Sequence, residues 1–174
     1  MTKYAPSPDP VFTALQLTSN TIAAALNVAD RCFLNEADRS FLRGHWTRVL
    51  EGRVSYFCSD DCDYLTLLDH FVYIVSGEVI AFGGLYRHDS QPESAWLNWF
   101  GVDPAHRGNG YGNMLINHLA QIAKRRGAMM LVGYTEDSDD NIGTKRFYES
   151  LHFKPSTLYY FRGEEVRLFK RKLV

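Results

Sequence analysis

The stretch Val102-Asp-Pro-Ala-His-Arg107-Gly108-Asn-Gly110-Tyr-Gly112-Asn-Met-Leu115 decides the fold. It begins where a nearly continuous apolar run ends, and it leads into a segment whose apolar residues recur at helical spacing. A turn with glycines at alternate positions therefore joins a buried strand to an amphipathic helix. Glycine lets the backbone turn tightly and lets a bulky ligand approach the peptide N–H groups. Those N–H groups and the helix dipole together form an anion-binding site, and a diphosphate is the expected ligand.

Two common nucleotide-binding loops fit this stretch poorly. A Walker loop would place Lys-Ser or Lys-Thr after its last glycine, where this chain has Asn113 and Met114. A dinucleotide-binding loop has the spacing G-x-G-x-x-G, whereas Gly108, Gly110 and Gly112 follow G-x-G-x-G. Taken alone, the glycines also fit an ordinary tight turn.

Outward from this stretch, the pattern predicts strands and helices that alternate in an α/β (α+β) domain with a mixed sheet. Strands are predicted at 12–17, 70–75, 79–87, 95–102, 128–135, 153–162 and 166–173, the last two as a hairpin around Gly163-Glu164. Helices are predicted at 21–33, 37–50 with an interruption near Gly44, 110–126 and 141–151. Residues 51–69 look irregular. Residues 1–10, with three prolines, predict a flexible N-terminal arm before one domain over 11–174.

Charge and hydropathy exclude some classes of protein. The 174 residues carry 19 basic and 20 acidic side chains, a net charge of -1, which argues against a dedicated nucleic-acid binder. Residues 11–29 are uncharged but contain many Thr, Asn and Gln side chains, so we expect no membrane span there. The N-terminus has no basic region followed by an apolar run, so we expect no signal peptide.

Cysteine and aromatic content give weaker guidance. The odd set Cys32, Cys58 and Cys62 indicates a reducing compartment, and we therefore expect a cytoplasmic protein. Cys58 and Cys62 lack the spacing of a zinc site, so two ordinary thiols and no metal are expected. The 14% aromatic content fits a large core, a ligand cleft or an oligomer interface, and it leaves a homodimer open.

Two segments together resemble the GNAT superfamily of N-acetyltransferases. Arg107-x-x-Gly110-x-Gly112 is similar to the pyrophosphate-binding motif of that family, and Asn141-x6-Tyr148-Glu-Ser-Leu-His-Phe153 is similar to its N-x6-Y-E-x-L-G-F segment. The separation of the two segments matches as well. The resemblance implies a GNAT-like acyl-CoA N-acyltransferase fold, with a central mixed, mostly antiparallel sheet flanked by helices. It also implies acetyl-CoA as cosubstrate and no metal.

The resemblance assigns roles to individual residues. The CoA pyrophosphate would bind the backbone amides of Arg107, Gly108, Asn109, Gly110, Tyr111 and Gly112. The pantetheine arm would pair with a bulged strand at Phe100, Gly101 and Val102, and the Phe100 amide would hold the thioester carbonyl. Asn141 would contact the pantetheine arm, and Tyr148 would protonate the departing thiolate. Structural alternatives stand beside these roles: core packing for Phe100, Val102 and Tyr148, a solvated turn for Arg107, and helix capping for Asn141.

The chain departs from the family pattern at two places. His152 replaces the glycine that usually ends the helix, and His is among the residues that tolerate the left-handed conformation. The run 96–102 contains no carboxylate, although several relatives use a Glu on this strand as general base. Asn98 cannot do that work. The base is therefore unassigned, and the candidates near strand ends are His88, Asp89, Glu93, Glu136 and Asp137.

The implied reaction is direct attack by a primary amine of a small molecule or peptide on the thioester in a ternary complex. A covalent acyl-enzyme is disfavoured because no cysteine has an obvious His partner. The acceptor site is expected within 30–45, which mixes acids with aromatics, although a charged helix face gives the same pattern. A catalytically silent CoA-binding sensor domain is the alternative, and the presence of both Asn141 and Tyr148 favours the enzyme.

Overall fold

The computed structural model describes residues 11–33, 35–58, 63–161 and 164–173. The predicted arm at 1–10, Cys62 and the turn residue Gly163 lie outside the described residues. The strands are β1 (Thr13–Gln16), β2 (Ser55–Cys58), β3 (Asp63–Val75), β4 (Glu78–His88), β5 (Ser94–Val102), β6 (Met130–Glu136), β7 (Lys154–Phe161) and β8 (Glu164–Lys172). The helices are α1 (Ile22–Cys32), α2 (Glu36–Leu50), α3 (Tyr111–Arg125) and α4 (Ile142–Ser150), with short 3-10 turns at Pro104–His106 and Asp139–Asn141.

The described strands form one mixed sheet. Their order is β1-β3-β4-β5-β6-β8-β7, and β2 pairs with the other end of β3. Neighbouring strands are antiparallel except β5 and β6, which are parallel because α3 connects them. The predicted fold class, a mostly antiparallel mixed sheet flanked by helices, is confirmed.

Each face of the sheet has its own apolar core. The α3/α4 face buries a cluster that includes Ile80, Leu97, Leu115, Leu119, Leu131 and Tyr148. The α1/α2 face buries a cluster that includes Val28, Leu42, Trp46, Val72 and Phe82. The apolar stripe that the sequence predicts for α3 packs on the sheet. Because helices cover both faces, β4 and the first half of β5 are buried on both sides.

Two details of the sequence prediction are wrong. Residues 51–69 are not irregular, because they contain β2 and the first half of β3. That half of β3 alternates, with Leu65 and Leu67 buried around the partly exposed Thr66, and its charged ends hide this period. The helix α2 is not interrupted at Gly44, since Leu42 and Trp46 anchor the buried side and Gly44 lies on the exposed side.

Candidate functional site

A gap opens in the middle of the sheet between the two parallel strands. β5 and β6 pair only from Ser94 to Trp96 against Met130 to Val132. Beyond that point β5 stays with β4 up to Val102, while β6 stays with β8 up to Glu136. The carboxyl ends of β5 and β6 therefore separate, and each leaves a row of backbone groups facing the other.

A bulge in β5 lies at the edge of this gap. Gly84 pairs with Asn98 and Phe82 pairs with Gly101, so Gly83 alone faces both Trp99 and Phe100. Trp99 packs edge-on against Phe33 on the α1/α2 side, with ring centroids 5.0 Å apart. Phe100 lies on the α4 side instead, 6.1 Å from the ring of Tyr148. The bulge thus shifts the alternation of β5: Leu97 and Phe100 face the α3/α4 side, whereas Trp99 faces the α1/α2 side.

The glycine loop follows β5 and leads into α3. Gly108 and Gly110 both have φ +80°, and a Cβ on either would meet nothing within 4 Å. No side chain caps α3 at Gly110, and its first turn holds no acidic residue. Gly112 has an ordinary φ but faces Phe147 of α4, which a Cβ would approach to 3.1 Å. The loop therefore offers open space in front of uncapped helical N–H groups, the setting that binds phosphate.

An ion pair fixes the start of this loop to α1. The buried Asp103 accepts hydrogen bonds from Arg31 Nε (2.8 Å) and from the backbone N of Ala105 (2.9 Å). Burial raises the pKa of Asp103, but these hydrogen bonds outweigh burial and lower the pKa overall. The Arg107 side chain turns back and donates from Nε to the Val102 carbonyl at 3.0 Å. The Arg107 side chain is therefore a structural part of the turn.

Cys32 is the second residue of α1 that contacts this region. Its Sγ lies 3.3 Å from the Val102 carbonyl oxygen, and a Cβ on Gly101 would lie 2.9 Å from that sulfur. Burial raises the pKa of the Cys32 thiol, although the nearby Arg107 opposes part of this effect. The thiol is therefore kept protonated, which does not suit a covalent nucleophile.

Tyr148 lies at the α4 side of the gap. Its ring stacks on Phe169 at 4.9 Å, and its hydroxyl donates to the Tyr134 carbonyl oxygen over 3.4 Å. A Cβ on Gly133 would come within 2.6 Å of the phenol, so glycine is required there for the ring to fit. Burial raises the pKa of Tyr148, so the phenol keeps its proton. The hydroxyl thus meets β6 beyond the point where β5 leaves it.

Asn141 ends the short turn before α4, at the carboxyl end of β6. Its Nδ2 donates to Glu136 Oε2 (3.3 Å) and to Ser138 Oγ (3.0 Å). Asn141 holds the N-cap position of α4 but its side chain makes no capping hydrogen bond. A capping hydrogen bond from the side chain is therefore absent, and the side chain bonds instead to residues at the carboxyl end of β6. At the other end of α4, His152 has φ +64°, as the substitution for glycine predicted.

The five candidate bases fall into two groups. His88, Asp89 and Glu93 flank the amino end of β5, where β5 and β6 are still paired. Glu136 and Asp137 lie at the open end of the gap. Asp137 accepts from Lys145 (2.6 Å) and from Arg167 (2.7 Å), and these contacts, Lys145 first, lower its pKa. Asp137 therefore belongs to a structural ion-pair network with Lys145 and Arg167 and is not free to act as a base.

Two of the acids in 30–45, where the acceptor site is expected, pair with neighbouring arginines. Asp30 accepts from Arg43 at 2.9 Å, and Glu36 accepts from Arg39 at 2.7 Å. These ion pairs lie on the charged outer face of α1 and α2, which matches the charged helix face given above as the alternative to an acceptor site. The aromatic members of 30–45 instead face β5: the rings of Phe33 and Phe41 lie 5.0 and 6.0 Å from that of Trp99.

Sequence reasoning missed one polar pair beside the gap. The Asn98 side-chain amide Nδ2 donates to His70 Nε2 over 2.9 Å, and both residues are buried. His70 was predicted only as the first residue of a strand. No local signal joins these positions, since the register of three strands is needed to place them side by side.

Within residues 11–33, 35–58, 63–161 and 164–173, no group of three or more His, Cys, Asp and Glu side chains is arranged to hold a metal ion. In the same part of the chain, no helix has the length and apolarity to cross a bilayer.

Comparison with known proteins gives one family. The model of the acetyltransferase (GNAT) family matches residues 32–153, more than half of the chain. No curated protein matches the sequence. Among solved structures, the ribosomal-protein-S18-alanine N-acetyltransferase from Escherichia coli has a TM-score of 0.68 at 20% identity, and each chain is covered to 94%. A GNAT family acetyltransferase from Elizabethkingia anophelis, solved with acetyl-CoA bound, has a TM-score of 0.64 at 16% identity, with 93% of this chain and 98% of that chain covered.

Proposed function

The chain belongs to the GNAT acetyltransferase family, and on that premise we propose that it transfers an acetyl group from acetyl-CoA to a primary amine of a small molecule or peptide. The amine attacks the thioester directly in a ternary complex. A cytoplasmic location, a single domain over 11–174 and a homodimer stay predictions.

The observation that carries this proposal is the gap between β5 and β6, with the glycine loop at one of its ends. Unpaired backbone along the gap offers hydrogen-bond partners to an extended, amide-rich arm, and the loop offers uncapped N–H groups to a diphosphate. The pantetheine arm and pyrophosphate of CoA have this chemistry in this order. A mere tight turn would need neither the gap nor the open space over Gly108 and Gly110.

We assign the cofactor-binding residues in two groups. The pyrophosphate binds the backbone amides of Arg107, Gly108, Asn109, Gly110, Tyr111 and Gly112. The pantetheine arm lies along Phe100, Gly101 and Val102 and reaches Asn141, whose side chain lies at the carboxyl end of β6. The amide of Phe100 at the bulge holds the thioester carbonyl. A fixed N–H donor there stabilises the negative charge that develops on the carbonyl oxygen, and losing one such donor typically costs about 100- to 1000-fold in rate.

Tyr148 is the proposed acid. A free thiol has a pKa of about 8.5, so its thiolate leaves more readily when a neutral phenol supplies a proton. Burial raises the pKa of Tyr148 and so keeps it in the donating form. The raised pKa also moves any loss of activity through phenol ionisation to higher pH than an exposed tyrosine would give.

Thiol release from acetyl-CoA in the presence of an amine panel tests the proposal. The panel contains small amines, amino acids, polyamines, aminoglycosides and peptides with free N-termini, and mass spectrometry identifies the acetylated product. We expect amine-dependent thiol release in at least one class. Tight acetyl-CoA binding with no amine-dependent release in any class would instead favour the catalytically silent sensor.

A further inference from the structure

A cavity of about 950 Å³ lies at the end of the sheet opposite to the gap. It borders α3 from Asn117 to Lys124 and reaches Met130, the first residue of β6, and His152, which follows α4. The gap instead lies at the carboxyl end of β6, and the glycine loop precedes α3. At about 1.5 Å per residue, Lys124 lies roughly 20 Å along α3 from that loop. The cavity is therefore separate from the site that we propose for acetyl-CoA.

The cavity forms where β7 is shorter than β8. The ladder between these two strands begins at Lys154 and Lys170, whereas β8 continues to Lys172 with β6 as its one neighbour among the described strands. Consecutive residues of β8 therefore line the cavity, although their side chains alternate between the two faces of the sheet. On the α3 side, Arg171 Nη1 donates to Asn117 Oδ1 at 3.0 Å, which fixes one cation at the wall of the cavity.

Positive charge is concentrated around this cavity. Its lining includes five basic side chains, and no acidic residue is among the lining residues that the structure describes. The whole chain carries 19 basic and 20 acidic side chains, so this concentration does not reflect a general excess of positive charge. The five basic residues are Lys124, Lys154, Lys170, Arg171 and Lys172.

Two of these lysines lie directly opposite each other. Lys154 of β7 and Lys170 of β8 are cross-strand partners, so their Cβ atoms lie about 5 Å apart on the same face. Lys170 is half-buried, and neither lysine forms an ion pair with any other described residue. Like charges in this arrangement repel and destabilise the free protein. An anion bound beside both lysines would remove that repulsion.

We propose that this cavity binds a small organic molecule that carries two or more phosphate groups. Its volume is in the range of small-molecule sites, about 300–1,000 Å³. Four of the five cations are lysines, which bind phosphate as point charges, whereas the fork of arginine matches a carboxylate better. Because Lys170 and Arg171 are consecutive residues of one strand, they present their charges on opposite faces, and one phosphate group cannot contact both.

The rest of the lining fits the carbon skeleton of such a ligand. Apolar residues contribute to the same cavity, namely Ala120, Met130, Pro155 and Leu173. The concave shape and the net charge of -1 favour a small molecule over a nucleic acid. The proposal does not depend on the acetyl transfer proposed above.

Calorimetry with fructose bisphosphate as the probe tests the site. The protein is saturated with acetyl-CoA, which keeps the probe out of the glycine loop. Each lysine that bonds a phosphate group contributes a charge-assisted hydrogen bond, so Lys154→Gln and Lys170→Gln should each raise Kd by about tenfold or more. Arg125→Gln is the matched control, because Arg125 is an exposed cation of α3 that does not line the cavity. Its Kd should stay within about twofold of the wild-type value.

Thermal melts give a second measurement. Lys154→Gln removes the repulsion between the two lysines, so the free variant should melt at or above the Tm of the free wild type. The rise in Tm that the probe gives to the wild type should be largely lost in this variant, because its Kd is raised. A merely structural role for Lys154 would give the opposite result, a lower Tm without the probe and an unchanged rise with it.

The named outcomes decide the proposal. Weaker probe binding in both lysine variants, with Arg125→Gln unchanged, supports it. Absence of binding to the wild type at millimolar fructose bisphosphate overturns it, as does an equal loss of affinity in Arg125→Gln, which would indicate unspecific attraction to surface charge. Citrate that binds as tightly as the probe would show a preference for carboxylates, and a single-stranded RNA oligonucleotide that binds more tightly would show a nucleic-acid surface. Either result overturns the proposal as well.

Discussion

Replacing Gly110 by Asp tests the phosphate-binding role of the glycine loop. The structure separates two effects of this change. Gly110 has φ +80°, so any side chain there takes the left-handed conformation, which costs about 1–2 kcal/mol for an L-residue and less for Asp. Nothing lies within 4 Å of the new Cβ, so no clash adds to this cost. The variant should therefore fold with a small loss of stability.

The effect on acetyl-CoA binding should be much larger. The carboxylate would occupy the open space in front of the first N–H groups of α3, where the diphosphate binds in our proposal. Two like charges about 4 Å apart repel by about 1 kcal/mol in water and about 4 kcal/mol at an effective dielectric constant of 20. Since about 1.4 kcal/mol is a factor of ten in Kd, charge alone should weaken binding by roughly 5- to 1000-fold. Steric exclusion adds to this.

Gly77→Asp is the matched control. Gly77 lies in the turn between β3 and β4, has φ +83° and is equally open, so the substitution carries the same backbone strain away from the loop. Calorimetry should show wild-type acetyl-CoA affinity in this control. In thermal melts, ligand at a hundredfold excess over Kd should stabilise the control by about 2.7 kcal/mol and Gly110→Asp far less. Unchanged affinity in folded Gly110→Asp, or an equal loss in both variants, would refute the assignment of the loop.

Three further substitutions test the surroundings of the gap. Tyr148→Phe removes a long hydrogen bond of 3.4 Å to the Tyr134 carbonyl, so urea unfolding should show a loss in the free energy of unfolding below about 1 kcal/mol. Steady-state assays should show kcat lowered by up to about 100-fold. A wild-type kcat in this variant would mean that Tyr148 only packs in the core. Gly133→Ala pushes a Cβ to within 2.6 Å of the phenol, so it should destabilise by about 1–3 kcal/mol and also lower kcat. Asp103→Asn should cost about 1–3 kcal/mol at pH 7, because a charged partner of Arg31 is lost. Since the pKa of Asp103 is lowered in the folded state, the wild type holds this stability above the usual carboxyl range and loses it as pH falls below about 4. The difference between the two proteins in urea unfolding should therefore shrink in acid, and a difference independent of pH would contradict the ion-pair account.

The parts of the site that could be predicted are those encoded by neighbouring residues. The helix α3 and the loop before it follow from glycine spacing and the 3.6-residue period, which are local properties. The left-handed turn at His152 follows from its place at the end of a helix. The four-residue β2 is too short to show a period, and the alternating start of β3 was missed because charged residues stand at both of its ends.

The parts that could not be predicted depend on strand register. The bulge exists because Gly83 faces both Trp99 and Phe100, and nothing within either strand records that mismatch. The His70–Asn98 contact needs three strands in register and a glycine between them. Both residues lie in the middle of their strands, away from the strand ends where charged residues are visible, so no local pattern in the sequence signals this pair.

The same register explains why the gap stays open. β5 and β6 could continue their ladder beyond Trp96 and Val132 only if their carboxyl ends moved together. Each end is instead tied to a different element: Asp103, just after β5, pairs with Arg31 of α1. Asp137, just after β6, pairs with Arg167 of β8 at 2.7 Å. Closing the gap would break one of these contacts and crowd the Tyr148 ring, which lies against Gly133 of β6 and 6.1 Å from the ring of Phe100 on β5.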